Sequence, residues 1–115
     1  MRIFNQTQRS ILADNGRMAD TFLLRLVGLL NRSQIIPGEA LVIMPCHQIH
    51  MFFMRFPIDV VFLDKSDLVV GLVENIQPFA MSPMFRHSHR AIELPIGTIA
   101  QSRTCLGDAV QFLNS

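Results

Sequence analysis

Residues 58–63, Ile-Asp-Val-Val-Phe-Leu, constrain the fold of this chain more than any other stretch. Side chains alternate along a strand, so Ile58, Val60 and Phe62 point one way and Asp59, Val61 and Leu63 the other. Both sets are apolar except for one carboxylate. The preceding run, IHMFFMRFP, is equally core-like and adds His50 and Arg55. A buried, unpaired carboxylate costs several kcal/mol or takes up a proton. These polar groups are therefore either paired structural groups or the lining of a site.

Around this segment the chain reads as short strands with turns between them. Residues 1–9 give a short first strand. Residues 40–44, Ala-Leu-Val-Ile-Met, are too short and apolar for a surface helix and read as a buried strand before Pro45. Residues 68–74 form the hairpin partner of 58–63 through a four-residue loop, Asp64 to Asp67. That loop contains no Gly, so Ser66 or Asp67 must carry any left-handed position. Residues 76–90 are interrupted by Pro78 and Pro83 and read as a long irregular loop, of the kind compact domains use for function or motion. Residues 90–94 return to strand, since Leu94 is held extended by Pro95. A short helical turn over 98–103, a turn at 106–108 and a closing strand over 109–113 complete the pass. Gly97 and Gly107 fit positive-φ turns.

Residues 18–31 carry the clearest periodicity. Ala19, Phe22, Leu23, Leu26, Val27 and Leu30 form one apolar helical face, with Arg17, Thr21, Arg25, Gly28 and Arg32 opposite. Gly28 lets such a helix approach a sheet closely. The sum is one amphipathic helix and roughly five to seven short strands with mostly short connections, which favours antiparallel pairing. The predicted class is mainly β (α+β): a small antiparallel open barrel, or two packed sheets, with one covering helix.

With 115 residues, a single domain over 1–115 is expected. Half of the residues are hydrophobic and 17% charged, as in a globular protein. The net charge of +1 gives no sign of nucleic acid or of an anionic membrane surface. The N-terminal MRIFNQTQRS lacks the apolar run of a secretory signal, and Phe22 to Leu30 is too short to span a bilayer. A cytoplasmic location and no membrane span are the expectations. Cys46 and Cys105 read as reduced, packed thiols.

Three blocks resemble a known family. The first is Ala19-x-Thr21-x-x-x-Arg25-x-x-Gly28-Leu29-Leu30-x-Arg32. The second is Ile49-His50-x-x-x-Met54-x-x-Pro57-Ile58-Asp59-Val60-x-Phe62-Leu63-Asp64. The third is Glu93-Leu94-Pro95-x-Gly97, followed by the Gly107-Asp108 turn. Their order and spacing, over about residues 17–113, resemble the bacterial and archaeal "domain of unknown function 192". The resemblance implies a small, mostly β fold with a covering helix and assigns no activity. At Asp67 this chain departs from the glycine usual in that family.

The candidate residues divide by chemistry. Asp59 has cations available in Arg25, Arg32 and Arg55, and an arginine fork suits a helix-to-sheet anchor through Arg25 or Arg32. Glu93, beside a proline-fixed turn, is either a structural partner or a second carboxylate for acid–base work with Asp59. Cys46, His47 and His50 suggest a metal but lack the full spacing of a zinc site. Cys46, His50 and Met54, among clustered methionines, are the donor types that copper(I) prefers, although methionine also simply fills irregular cores. The basic run 86–90 is a solvated loop or a flap over an anionic ligand.

The favoured expectation is a non-enzymatic binding domain with no cofactor. Its cleft lies near residues 46–59, 76–90 and 93, with His50, Met54, Arg55, Asp59 and Glu93 as ligand-binding candidates. A small molecule or a protein would be its partner, and it would be a monomer or small homo-oligomer. The alternatives are a hydrolase using Asp59 and Glu93 with His50, a soft-metal (copper or zinc) binder, and an adaptor acting through its Phe/Met surface.

Overall fold

The computed structural model describes residues 1–19, 34–52 and 54–114. The elements are β1 (Arg2–Asn5), β2 (Ser10–Ala13), β3 (Asn15–Ala19), β4 (Glu39–Ile43), β5 (Ile58–Leu63), β6 (Val69–Ile76), β7 (Arg90–Leu94), α1 (Thr98–Ser102) and β8 (Val110–Leu113). They form a three-stranded sheet, β2-β1-β8, and a five-stranded sheet, β3-β4-β7-β5-β6. The fold is therefore mostly β, two packed sheets with one short helix among the described residues, and not a closed barrel.

The alternation expected for 58–63 divides the core in two. Ile58, Val60 and Phe62 join Leu41, Ile43 and Ala91 on one face of the larger sheet. Val61 and Leu63 join Val42, Ile92 and Leu94 on the other. The second face packs against Ile3, Leu12 and Val110 of the smaller sheet and Ile99 of α1. The first face is covered in part by Ile49, Met51, Met54 and Phe56, from the segment between β4 and β5. Every residue of β5 is consequently buried.

The hairpin β5–β6 closes without glycine, and Asp67 takes the left-handed position at φ 61°. Its carboxylate compensates for that conformation. Arg90 Nε donates to Asp67 Oδ1 at 2.9 Å and Arg90 Nη2 to Oδ2 at 3.0 Å. The same guanidinium lies 4.2 Å from the centre of the Phe112 ring, so the turn is tied to β7 and β8 together. Gly97 (φ 89°) and Gly107 (φ 88°) both adopt the positive-φ conformation expected of them.

Two expectations need correction. The segment 1–9 is β1 followed by a turn, and a second strand, β2, comes after it. Met18 and Ala19, read as the start of a helix, are the end of β3. They pair in parallel with Val42 and Ile43 of β4, where backbone hydrogen bonding and burial of Ala19 prevail over the helical periodicity. This parallel pair departs from the antiparallel pattern of the other strand pairs. The rest of the expected helix, with Arg25, Gly28 and Arg32, lies outside the described residues.

Candidate functional site

Asp59 is buried on β5, and both of its oxygens accept backbone amides. Where β6 takes one residue more than β5, between the pairs Ile58–Ile76 and Val60–Val73, the Asn75 amide is left over. It donates to Asp59 Oδ1 at 2.9 Å. Ile99, in the first turn of α1, donates to Oδ2 at 3.0 Å. Gly97 at the helix N-cap has no side chain to serve that end, so Asp59 caps it from another element. The carboxylate is thus a helix-to-sheet anchor, but the helix it holds is α1. Arg25 and Arg32, offered as its partners, lie outside the described residues.

Glu93 is fully buried on β7, between Leu41 of β4 and Val60 of β5. The register decides its relation to Asp59. Asp59 pairs with Leu94, and Glu93 pairs with Val60. Paired residues share a face and neighbours alternate, so the two carboxylates leave opposite faces of the sheet. They do not assemble into the acid–base pair considered from the sequence.

The segments after β4 and before β7 do come together. Cys46 N donates to His89 O (3.0 Å), Phe85 N to His47 O (2.8 Å), Ser82 N to Ile49 O (2.9 Å) and Met51 N to Ala80 O (2.8 Å). Two buried serines fasten this lobe of paired loops. Ser82 Oγ accepts the Ile49 amide at 2.9 Å, and Ser88 Oγ donates to Cys46 O at 2.7 Å. Neither serine stood out in the sequence, because a loop hydroxyl carries no pattern until its partner is known. Gly71 of β6 admits the Phe85 ring beneath the lobe. A Cβ there would lie 2.6 Å from that ring, which packs on Phe62 at 4.5 Å between centroids.

The lobe has two ends of different character. At one end His50 bridges Met81, and its ring stacks on Phe52 with centroids 5.5 Å apart. His50 Nδ1 is buried and has no hydrogen-bond partner among the described residues. Around it Phe52 is 45% exposed, Met81 53% and Phe79 62%, with Phe79 held at φ 67°. At the other end a cleft of ≈ 620 Å³ is lined by His47, Asp64, Lys65, Ser66, Arg86, His87, Ser88 and His89.

Of the remaining candidates, Met54 is buried in the core and does not form a wall open to ligand. Arg55 is exposed. Cys46 is buried, its thiol donating to Gln48 O at 3.3 Å, and Cys105 is exposed, so Cys105 is not the packed thiol expected. Among the described residues no three His, Cys, Asp or Glu side chains converge to hold a metal ion, and Cys46, His47 and His50 form no such group. No helix among those residues is long and apolar enough to cross a membrane.

Two packed sheets with a capping carboxylate and a paired-loop lobe define a small β-rich class of protein, and comparison with known proteins places the chain within it. Residues 4–112 match the family described as "Uncharacterized ACR", the domain of unknown function 192. A UPF0127 protein of Thermococcus sibiricus is 33% identical over 116 residues, covering 96% of this chain and 73% of that protein. A UPF0127 protein of Pyrococcus abyssi is 31% identical over 117 residues, covering 96% and 97%. The chain belongs to this family.

Among solved structures, a protein of unknown function from Novosphingobium aromaticivorans superposes with a TM-score of 0.80 at 19% identity, over 96% of this chain and 82% of that one. A structure from Sinorhizobium meliloti, named provisionally as a transcription regulator, gives 0.78 at 20% identity, over 96% and 89%. At these identities the likeness concerns the fold alone.

Proposed function

We propose that this protein is a small-molecule-binding domain whose working surface is the His50 end of the paired-loop lobe. The observation that carries the reading is the buried, unsatisfied Nδ1 of His50 beside the exposed Phe52, Phe79 and Met81. A buried polar atom without a partner costs free energy that a ligand hydrogen bond recovers. Imidazole accepts or donates at Nδ1 according to its tautomer. Apolar walls with one or two polar groups are the usual form of a small-molecule site. The ligand this chemistry suits is flat and largely apolar, with one hydrogen-bonding group directed at Nδ1. The separation of Asp59 and Glu93 on opposite sheet faces favours binding over acid–base catalysis.

Titration of the ¹⁵N-labelled protein with indole and p-cresol tests the reading. Saturable amide shifts at residues 50–52 and 79–81, lost in His50→Ala and weakened in Phe52→Ser, are expected. If neither probe gives saturable shifts there while the lobe amides keep their native dispersion, the proposal is withdrawn.

A further inference from the structure

The opposite end of the lobe carries a different chemistry. Three segments converge on the ≈ 620 Å³ cleft. The loop after β4 supplies His47, the β5–β6 turn Asp64 and Lys65, and the loop before β7 Arg86, His87 and His89. The lining also holds one carboxylate, Asp64, whose Oδ1 accepts the Ser66 and Leu68 amides at 2.8 and 3.0 Å. The adjoining Arg90 is neutralised by Asp67 at 2.9 Å. Lys65 and Arg86, by contrast, are exposed and make no ion pair among the described residues. The cleft thus gathers two cations outside any ion pair and three imidazoles against a single carboxylate, on a protein whose net charge is only +1.

A concave surface with cations of this kind concentrates anions. Arginine offers a bidentate fork to an oxyanion, lysine a mobile point charge, and imidazole a further N–H donor. The volume falls within the range of small-molecule sites. We propose that this cleft binds the phosphate group of a small-molecule phosphomonoester, with Arg86 and Lys65 as its principal contacts. His47, His87 and His89 line the same cleft as further N–H donors. This site is separate from the His50 end and does not depend on the reading given for it.

The test is ¹⁵N–¹H titration with three probes: sodium sulfate, inorganic phosphate and phenyl phosphate, each at constant ionic strength. Saturable shifts are expected at residues 47, 64–66 and 86–89 and not at 50–52. Arg86→Gln and Lys65→Gln each weaken binding about tenfold, the low end of what one charge-assisted hydrogen bond contributes. Arg2→Gln, which removes the same charge from an exposed position at the start of β1, leaves binding unchanged. Tighter binding of phenyl phosphate than of inorganic phosphate supports the ester. The reverse order overturns the ester in favour of the free ion. Absence of saturable shifts, or equal weakening by Arg2→Gln, overturns the site itself.

Discussion

The Oδ2 oxygen of Asp59 accepts the amide of Ile99 across 3.0 Å, joining an inner strand of the larger sheet to the first turn of α1. Its other oxygen holds the amide that β6 leaves unpaired at Asn75. Asp59→Asn keeps the shape but turns one acceptor into a donor facing an amide donor. It lowers stability by about 1–3 kcal/mol. Urea denaturation measures this as a lower midpoint with an unchanged slope. A loss below about 0.5 kcal/mol, the size of an ordinary surface change, contradicts the double-acceptor role.

Asp67 trades backbone strain for an ion pair. Asp67→Gly relieves the left-handed conformation, worth about 1–2 kcal/mol. It also removes the bidentate contact to Arg90, a partly exposed pair worth about 0.2–1 kcal/mol. The single substitution is therefore near neutral or mildly stabilising. A double-mutant cycle with Arg90→Gln isolates the pair. A coupling that shrinks in high salt is expected, and zero coupling at low salt rejects the compensation.

Asp108 governs the acid limit of the smaller sheet. Burial pushes its carboxyl up. Hydrogen bonds from the Asn5 side chain, the Cys105 amide and the Gln8 side chain outweigh that and hold its pKa below the ordinary 3.8. The folded value lies below the unfolded one, so the stabilisation is present above 3.8 and is lost as pH falls through the folded value. Wild type and Asp108→Asn should therefore differ in stability at neutral pH and draw together as the pH falls below 3.8. A constant difference across that range rules out the carboxylate as the cause.

Gly71 matters because of the ring above it. Gly71→Ala forces Phe85 off Phe62 and costs about 1–3 kcal/mol, the usual penalty for overpacking. The Phe85 amide, bound to His47 O, should exchange its hydrogen faster. Adding Phe85→Ala reopens the space, so the second substitution should do less harm in the Gly71→Ala background than alone. Simple additivity would remove the steric explanation.

The strands β4 to β8, a left-handed turn position at Ser66 or Asp67 and the two-faced burial of β5 were all legible, because each rests on local alternation or a local backbone demand. β3 was not. Its Asn-Gly-Arg-Met-Ala carries little apolar signal, and Met18 and Ala19 fitted the helical period that follows. What makes it a strand is pairing with β4, a contact invisible along the chain. The site was half legible for the same reason. His50 and the 76–90 loop were singled out, but the opposite faces of Asp59 and Glu93 follow only from register. The capping of α1 by Asp59 requires a neighbour 40 residues away.

The position of β1 between β2 and β8 has a kinetic consequence. Asn5 reaches its buried partner Asp108 across 103 residues, so one side of the smaller sheet closes only after synthesis has passed Asp108 and β8. Such long-range closure is slow, and until it occurs β1 presents an open edge able to pair with other chains. The hazard for this protein in the cell is greatest during synthesis, before β8 arrives to take its place beside β1.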